Sequence, residues 1–280
     1  MFQKFYCFLF IALISLYVHS VHACDSDCVK EDSWAAGIAV GFGKYSNPLH
    51  DGKDRNVSVL PSFYYYGEKF YIENTEVGYV LEENADWMLT LKGKFNNDGL
   101  YFNESKFDSI IISDMLGPGW FEEPDESVSV DEVDRKYSYM AGLGANYFLN
   151  ENFMLTAGAY HDITGVHYGY SLSTSAQYFL QRNNWQWQAG VGIEYKNSDL
   201  TNYYYGLRPE DGTSYVDFNV KSTINFSASA TASYRLNDNF FLTASYYYEW
   251  LDSNMTISPI VEDTHTQFFF LGITAQYGSN

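Results

Sequence analysis

The chain of 280 residues is poor in the features that cross-link a protein, interrupt its secondary structure or give it positive charge. It has three cysteines and six prolines, and 16 lysines and arginines stand against 35 aspartates and glutamates. So few cysteines exclude a disulfide-dense scaffold, and so few prolines leave long regular elements unbroken. The formal charge of −19 makes nucleic acid a poor partner. Beyond the first 23 residues no run approaches the roughly 20 apolar residues that a membrane helix needs, which excludes a helical membrane protein. No metal-ligand spacing stands out, and no cofactor is expected.

The N-terminus reads "MFQKFYCFLFIALISLYVHSVHA", one lysine followed by an apolar run from Phe5 to Val18 and then small or polar residues. That run is too short to span a bilayer and matches a secretory signal peptide, so residues 1–23 are expected to be cleaved and the mature chain exported. Residues 24–33 are expected to form a short periplasmic segment. Within it Cys24 and Cys28, in "CDSDC", are expected to close a small disulfide loop. The alternative is lipidation of Cys24, although His22 is an unusual residue ahead of an Ala-Cys pair.

Aromatic side chains are abundant, with 26 Tyr, 21 Phe and 6 Trp, and they obey a period of two. In "WQWQAGVGIEYK" at 185–196, Trp185, Trp187, Ala189, Val191, Ile193 and Tyr195 alternate with Gln, Gly, Glu and Lys. Successive side chains of a strand point to opposite faces, so one face here is wholly apolar and the other wet. The same alternation recurs at 34–42, 137–149, 220–236 and 242–250, and the apolar parity carries no charge.

A soluble β-sandwich also alternates, but its strands are usually about five or six residues long. These runs are longer, and their wet face consists of Gly, Ser, Thr, Asn and Gln with few charges. Tyr and Trp gather at the ends of the apolar faces: Trp34, Tyr137, Tyr139, Trp185, Trp187, Tyr195, Tyr246, Tyr248 and Trp250. Together with the signal peptide, they point to an all-β, antiparallel up-and-down transmembrane barrel over 34–277, the aromatics forming two girdles at the lipid interfaces. Residues 278–280 are expected to be a C-terminal extension. Outer-membrane lipid and lipopolysaccharide are then its surroundings.

The periodicity predicts strands at 34–44, 56–66, 70–81, 86–95, 137–149, 152–162, 166–180, 184–196, 218–235, 239–251 and 265–277. Single-chain bacterial barrels have even strand numbers, so one more is expected. It is placed at 105–112 rather than 200–207, because "YFLNENF", "YFLQRNNW" and "YRLNDNF" look like equivalent tight turns and fall on one side only with that placement. Bulky inward residues such as Phe148, Phe179, Phe270 and Tyr247 predict a narrow or plugged lumen in a barrel of about 12 strands. Glu194, Lys196, Lys92, Lys94, Lys221 and Arg235 either pair there or line a solute path.

In the last strand, "FFFLGITAQY" resembles the C-terminal signal read by the outer-membrane assembly machinery, with Gly272, Ala275 and Tyr277 in its pattern. Here Gly278, Ser279 and Asn280 follow the aromatic residue. "WAAGIAVGFGKYSN", "VLPSFYYYGEKFYI" with Pro61, "YYYGL" at 203–207 and "ISPIVED" at 257–263 resemble, in that order, the MipA/OmpV family of outer-membrane proteins. Ser258, Pro259, Ile260 and Val261 are the most specific part. The resemblance implies an outer-membrane barrel, with a scaffold role described for the namesake, which joins a murein lytic transglycosylase to a penicillin-binding protein. Porin-like channels and surface adhesins or antigens are the alternative it implies.

An enzyme is not expected. His161, Asp162 and His167 lie near Ser171, Ser173 and Ser175, but Ser and Thr occupy every wet face, so such proximity arises by chance. The acidic run Glu122, Glu123, Asp125, Glu126, Asp131, Glu132 and Asp134 reads as a solvated loop. Its functional alternative is a surface engaging lipopolysaccharide-bound cations or a basic partner, and a murein enzyme would fit better if the loop faces the periplasm.

Overall fold

In the computed structural model the described residues are 32–102, 112, 133, 135–208, 211 and 217–279. The signal-like N-terminus, Cys24 with Cys28 and the acidic run 122–134 lie outside them. Twelve antiparallel strands close into a barrel in sequence order, β12 returning to β1. They are β1 (Ser33–Tyr45), β2 (Arg55–Tyr66), β3 (Phe70–Glu73), β4 (Glu76–Glu83), β5 (Trp87–Phe95), β6 (Tyr139–Asn150), β7 (Phe153–Asp162), β8 (Tyr170–Arg182), β9 (Trp185–Lys196), β10 (Thr223–Arg235), β11 (Phe240–Trp250) and β12 (His265–Gly278). No helix among the described residues is long and apolar enough to cross a membrane.

The twelfth strand is not where the periodicity placed it. Strands β5 and β6 pair directly, Trp87 with Tyr147 through Phe95 with Tyr139, so no strand from 105–112 stands between them. Residues 200–207 form most of a helix, α1 (Ser198–Tyr205), capped by the Asn197 side chain. The missing strand comes from the single run 70–81, which folds back at Asn74 and Thr75 into β3 and β4. Asn74 takes a φ of +50°, a conformation that asparagine tolerates better than most residues. The run expected at 218–235 begins as a strand only at Thr223.

This layout still places the three similar turns on one side. They connect β6 to β7, β8 to β9 and β10 to β11, at the end of the barrel where β1 begins and β12 finishes. We call this the short-turn end. At the other end stand the long connections 46–54, 96–138, 163–169, 197–222 and 251–264. Cross-strand register follows a tilted path: Tyr65, Ile72, Val77, Gly93, Ala141, His161 and Tyr170 are successive partners. That path leaves β2 near its short-turn end and reaches β8 at its long-loop end, the slant required to close a sheet on itself.

Closure decides which face meets water. Ile38, Val40, Phe42, Leu143, Val191, Ile193, Leu271 and Ile273 point outward and are exposed, whereas their alternating neighbours point inward. Inward glycines admit close packing: the Phe270 ring lies where a Cβ on Gly272 or Gly43 would stand. Val191 is 60% exposed on the outer face, while a Cβ on inward Gly192 would come within 2.7 Å of Ser227 Oγ. Val191→Arg is therefore expected to lose roughly 2–4 kcal/mol of bilayer folding stability. Gly192→Arg escapes that lipid cost and crowds the lumen instead. Urea unfolding in phosphatidylcholine vesicles measures both, and a Val191→Arg midpoint equal to the parent's would sink the assigned facing.

Candidate functional site

At the long-loop end the loops fold inward and block the barrel mouth. Helix α1 buries Leu200, Thr201, Tyr204 and Tyr205, a spacing that puts all four on one helical stripe. Around them pack Tyr45, Leu49, Leu100, Tyr101, Met140, Tyr160, Met255, Val261 and Phe268. This apolar cluster lies inside a barrel whose wall elsewhere carries many Ser, Thr, Gly and Gln residues, with Phe148 and Phe179 among them. The mouth is a packed plug.

Buried polar contacts tie the plug to the wall. Asp98, in a 3₁₀ turn at Asn97–Tyr101, accepts from Lys196 Nζ at 2.6 Å and from Tyr205 Oη at 2.7 Å. Lys196 ends β9, so this pair clamps the turn and α1 to one wall strand. Arg135, fully buried, donates to both carboxylate oxygens of Asp211, at 2.6 and 2.9 Å, and to the Gly206 carbonyl at 2.9 Å. Burial alone would raise the Asp211 carboxyl, but the Arg135 hydrogen bonds and the Arg208 backbone N–H hold it below the usual range. Of the other inward charges expected from sequence, Lys92 meets Glu76 at 2.9 Å and Lys94 sits 4.6 Å from the Tyr160 ring centre. Arg235 faces Asp238 at the short-turn end, 3.7 Å away, and Lys221 lies in the loop before β10. Described charges in the lumen are thus largely paired within it.

Helix α2 (Ser253–Thr256) and the Ser258-Pro259-Ile260-Val261 segment complete the plug. Ser258 Oγ donates to the Tyr205 carbonyl at 2.5 Å. The His50 N–H donates to the Ile260 carbonyl at 2.8 Å, Val261 forms an isolated bridge with Leu49, and the Glu262 N–H donates to the Pro48 carbonyl at 2.8 Å. The segments "YYYGL" and "ISPIVED", 53 residues apart between Tyr205 and Ser258, therefore touch.

His167 does not meet the serines of β8. The Gly169 N–H donates to His167 Nδ1 at 2.9 Å, which leaves the ring proton on Nε2, 3.0 Å from Ser138 Oγ. Ser138 in turn lies 3.2 Å from Tyr204 Oη, which donates to the Lys136 carbonyl at 3.0 Å. From Nε2 through Ser138 and Tyr204 each group donates onward, so His167 in this tautomer donates to Ser138 instead of taking its proton, as a general base must. The chain joins the start of β6, the 163–169 loop and α1. Asp162 fixes that loop by accepting from the Thr164, His167 and Tyr168 N–H groups at 2.8, 2.8 and 3.0 Å, holding Tyr168 at a φ of +55°.

The remaining candidate residues lie on the wall. Trp34, Trp185 and Trp187 point outward at the short-turn end, and Tyr246 and Trp250 do so at the long-loop end. Tyr139, Tyr195 and Tyr248 are half-buried at the latter end, Tyr248 stacking on His265 at 5.0 Å. Tyr137 precedes β6 and packs against the plug cluster instead. In β12, Gly272 faces Gly41, Ala275 faces Ile38 and Tyr277 faces Ala36. The strand continues to Gly278, and the Ser279 N–H donates to the Trp34 carbonyl at 2.9 Å.

A closed antiparallel barrel with an apolar outer face, short turns at one end and long loops at the other is an outer-membrane β-barrel. The family model described as MltA-interacting protein MipA matches residues 36–277, and the chain belongs to that family. It is 26% identical to outer membrane protein OmpV of Vibrio cholerae over 88% of this chain and 87% of that one. It is 23% identical to the MltA-interacting protein of Escherichia coli K12, covering 87% and 94%. Among solved structures the KdgM porin aligns over 88% of this chain and 98% of its own, at 10% identity and a TM-score of 0.37.

Two outcomes follow for the plug. Lys196→Met strands the Asp98 carboxylate and is expected to cost about 3–5 kcal/mol, whereas pairing it with Asp98→Leu recovers much of the loss; chemical unfolding of the double-mutant cycle measures this. Burial pushes His167 below its ordinary value of 6.5, outweighing the nearby Asp162 charge. The unfolded imidazole then gains its proton first, so plug stability falls as pH drops below about 6.5. Proteolysis of the long loops across pH 7.5 to 5 should show this acid loss, and His167→Gln should flatten it.

Proposed function

We propose that this barrel is an interaction protein that holds murein-remodelling enzymes at the outer membrane rather than an open aqueous channel. The observation that carries the reading is the packed plug: Leu200, Tyr204, Tyr205 and Met255 are wholly buried across the mouth. An aqueous pore needs a continuous wet path, and the described residues at this end pack apolar side chains together instead. Outer-membrane barrels keep short turns in the periplasm and long loops outside. By that rule the connection from β5 to β6 leaves the barrel on the outer side, where murein enzymes do not reach it. The surface left for a periplasmic partner consists of the short turns, such as Asn150–Phe153 and Arg182–Trp185, together with residues 24–33. The relative named MltA-interacting protein suggests a murein lytic transglycosylase as that partner, with a penicillin-binding protein as the second enzyme of the assembly. The N-terminal segment fits a cleaved signal peptide that delivers the chain there.

The test is site-directed photocrosslinking in intact cells, from Asn183 on a short turn and from Tyr168 on a long loop. Capture of a lytic transglycosylase or a penicillin-binding protein from Asn183 and not from Tyr168 is the expected result. Recovery of the barrel alone from both sites, with control crosslinks intact and steady single-channel conductance after reconstitution, would replace the scaffold reading with a channel.

A further inference from the structure

The lipid-facing side chains of three neighbouring strands change character at one level near the long-loop end. On β1 the outward series Ile38, Val40 and Phe42 gives way to Lys44, whose side chain is 45% exposed. Its register partners are Asn56 on β2 and Phe269 on β12. Beyond Phe269 the next outward residue of β12 is Gln267, which accepts from Tyr246 Oη at 3.0 Å. Below this line Phe42 and Phe269 pair ring to ring at 5.6 Å. The line is therefore where hydrocarbon ends and lipid head groups begin, and the long-loop side of an outer-membrane barrel is the outer leaflet.

A cavity of about 550 Å³ opens at that line. Lys44, Lys53, Asp54 and Asn56 line it from β1, β2 and the loop between them, and Glu262 and Asp263 line it from the loop before β12. These walls are held in place. Asp54 Oδ2 meets Lys44 Nζ at 2.7 Å, and its Oδ1 accepts from the Asn47 N–H at 3.1 Å. Asn47 is buried, its amide donating to the Tyr101 carbonyl and accepting from the Leu49 N–H, each at 3.1 Å. Gly52 passes so close that a Cβ there would come within 2.7 Å of Asn47 Cγ. The Pro48 carbonyl accepts from both the Glu262 and the Asp263 N–H groups, at 2.8 and 3.1 Å, which fixes the carboxylate-bearing loop against the lysine-bearing one.

The charges select the ligand. Lysine ammonium groups bind phosphate oxygens, but a free anion here would face Glu262 and Asp263 as well, and a free cation would face Lys44 and Lys53. A molecule that satisfies both walls carries a phosphate in one place and hydrogen-bond donors such as hydroxyls in another, for the carboxylates to accept. The cavity has the volume of a small-molecule site and exceeds what a phosphate alone would fill. Directly beneath it, the exposed rings of Phe42 and Phe269 offer a seat for acyl chains. We propose that this cavity holds the phosphorylated sugar head of an outer-leaflet glycolipid of the lipopolysaccharide class. Its phosphate lies on Lys44 and Lys53, its hydroxyls on Glu262 and Asp263, and its acyl chains along Phe42 and Phe269.

Native mass spectrometry of the full-length folded protein in a neutral detergent, titrated with lipid A, tests the site. One lipid A is expected to be held about ten-fold more tightly than phosphatidic acid, which has the phosphate without the sugar, or phosphatidylethanolamine, which has an amine in its place. Lys44→Gln and Lys53→Gln should each weaken lipid A about five-fold. Lys221→Gln, at an exposed lysine of the same end of the barrel, should leave it unchanged. Lys53→Gln decides alone if Lys44→Gln, which releases Asp54, loses the heat-modifiable migration of a folded barrel. Glu262→Ala/Asp263→Ala separates a built site from a charged surface. Removing two negative charges would strengthen lipid A on a surface that attracts it by charge alone, but weakens it about three-fold or more where the carboxylates accept its hydroxyls. Free glucosamine 1-phosphate should displace the lipid only in large molar excess. The proposal is overturned by lipid A bound no tighter than the two comparison lipids, unchanged by the lysine variants, strengthened by the double alanine variant, or matched in affinity by the free sugar phosphate. None of these outcomes depends on capturing a murein enzyme, so this inference and the scaffold reading fail separately.

Discussion

Closure of the sheet is the constraint on which the rest of the structure depends. In hydrocarbon no water is available to an unpaired N–H or C=O, and each costs several kcal/mol. Strands β1 and β12 must therefore meet, and they do so over eleven register pairs from Ala35 with Gly278 to Tyr45 with Phe268. Once the ring is closed, alternation along every strand sends one set of side chains to lipid and the other to the lumen. The lipid set needs only to be apolar. The lumen set must fit a small cylinder, which explains the Gly41–Gly272 pairing and the Phe270 ring that crosses the glycines beside it.

The lumen of such a cylinder is filled differently at its two ends. Along the middle of the wall stand Ser227, Ser229, Gln177, Gln188, Gly190 and Gly192, small or hydrogen-bonding groups compatible with water, with Phe148 and Phe179 nearer the short turns. Toward the long loops the space is large enough to admit folded chain, and it holds a core of the soluble kind. Burying Asp98 and Arg135 there is tolerated only because each charge finds an opposite one at 2.6 Å, since an unpaired charge in such surroundings is far costlier than an apolar replacement. The ion pairs fix where each loop sits. The aromatic cluster around Tyr204 and Tyr205 buries apolar surface beside them.

Much of the wall was readable from parity alone. Lipid-facing Trp187, Val191 and Ile193, and lumen-facing Gln188, Gly190 and Gly192, sit where alternation put them. The split of 70–81 was missed although its signal is present: outward residues are even at Phe70 and Ile72 but odd at Val77, Tyr79 and Leu81. A strand cannot change parity without a bulge or a reversal, so the switch across Asn74 and Thr75 marks the turn. Residues 198–205 carried a helical signature as well, with Asn197 ahead of the helix and Leu200 and Tyr204 four apart. The plug itself was not readable. Contacts such as Arg135 with Asp211, 76 residues distant, follow from where the barrel delivers the loop ends, and no local pattern encodes that.

Of the four segments that resemble the family, two lie in wall strands β1 and β2 and two meet inside the plug. A lipid-facing strand position accepts Ile, Val, Leu or Phe with little difference in energy, so strand sequence can drift while the wall persists. Plug positions are held by specific partners: Ser258 needs a hydroxyl to reach the Tyr205 carbonyl, and Val261 has to lie flat beside Leu49. "YYYGL" and "ISPIVED" are therefore the two sides of one internal contact, and the barrel that surrounds them is the less particular part of the molecule. Their mutual fit holds the two loops together inside the long-loop end of the barrel.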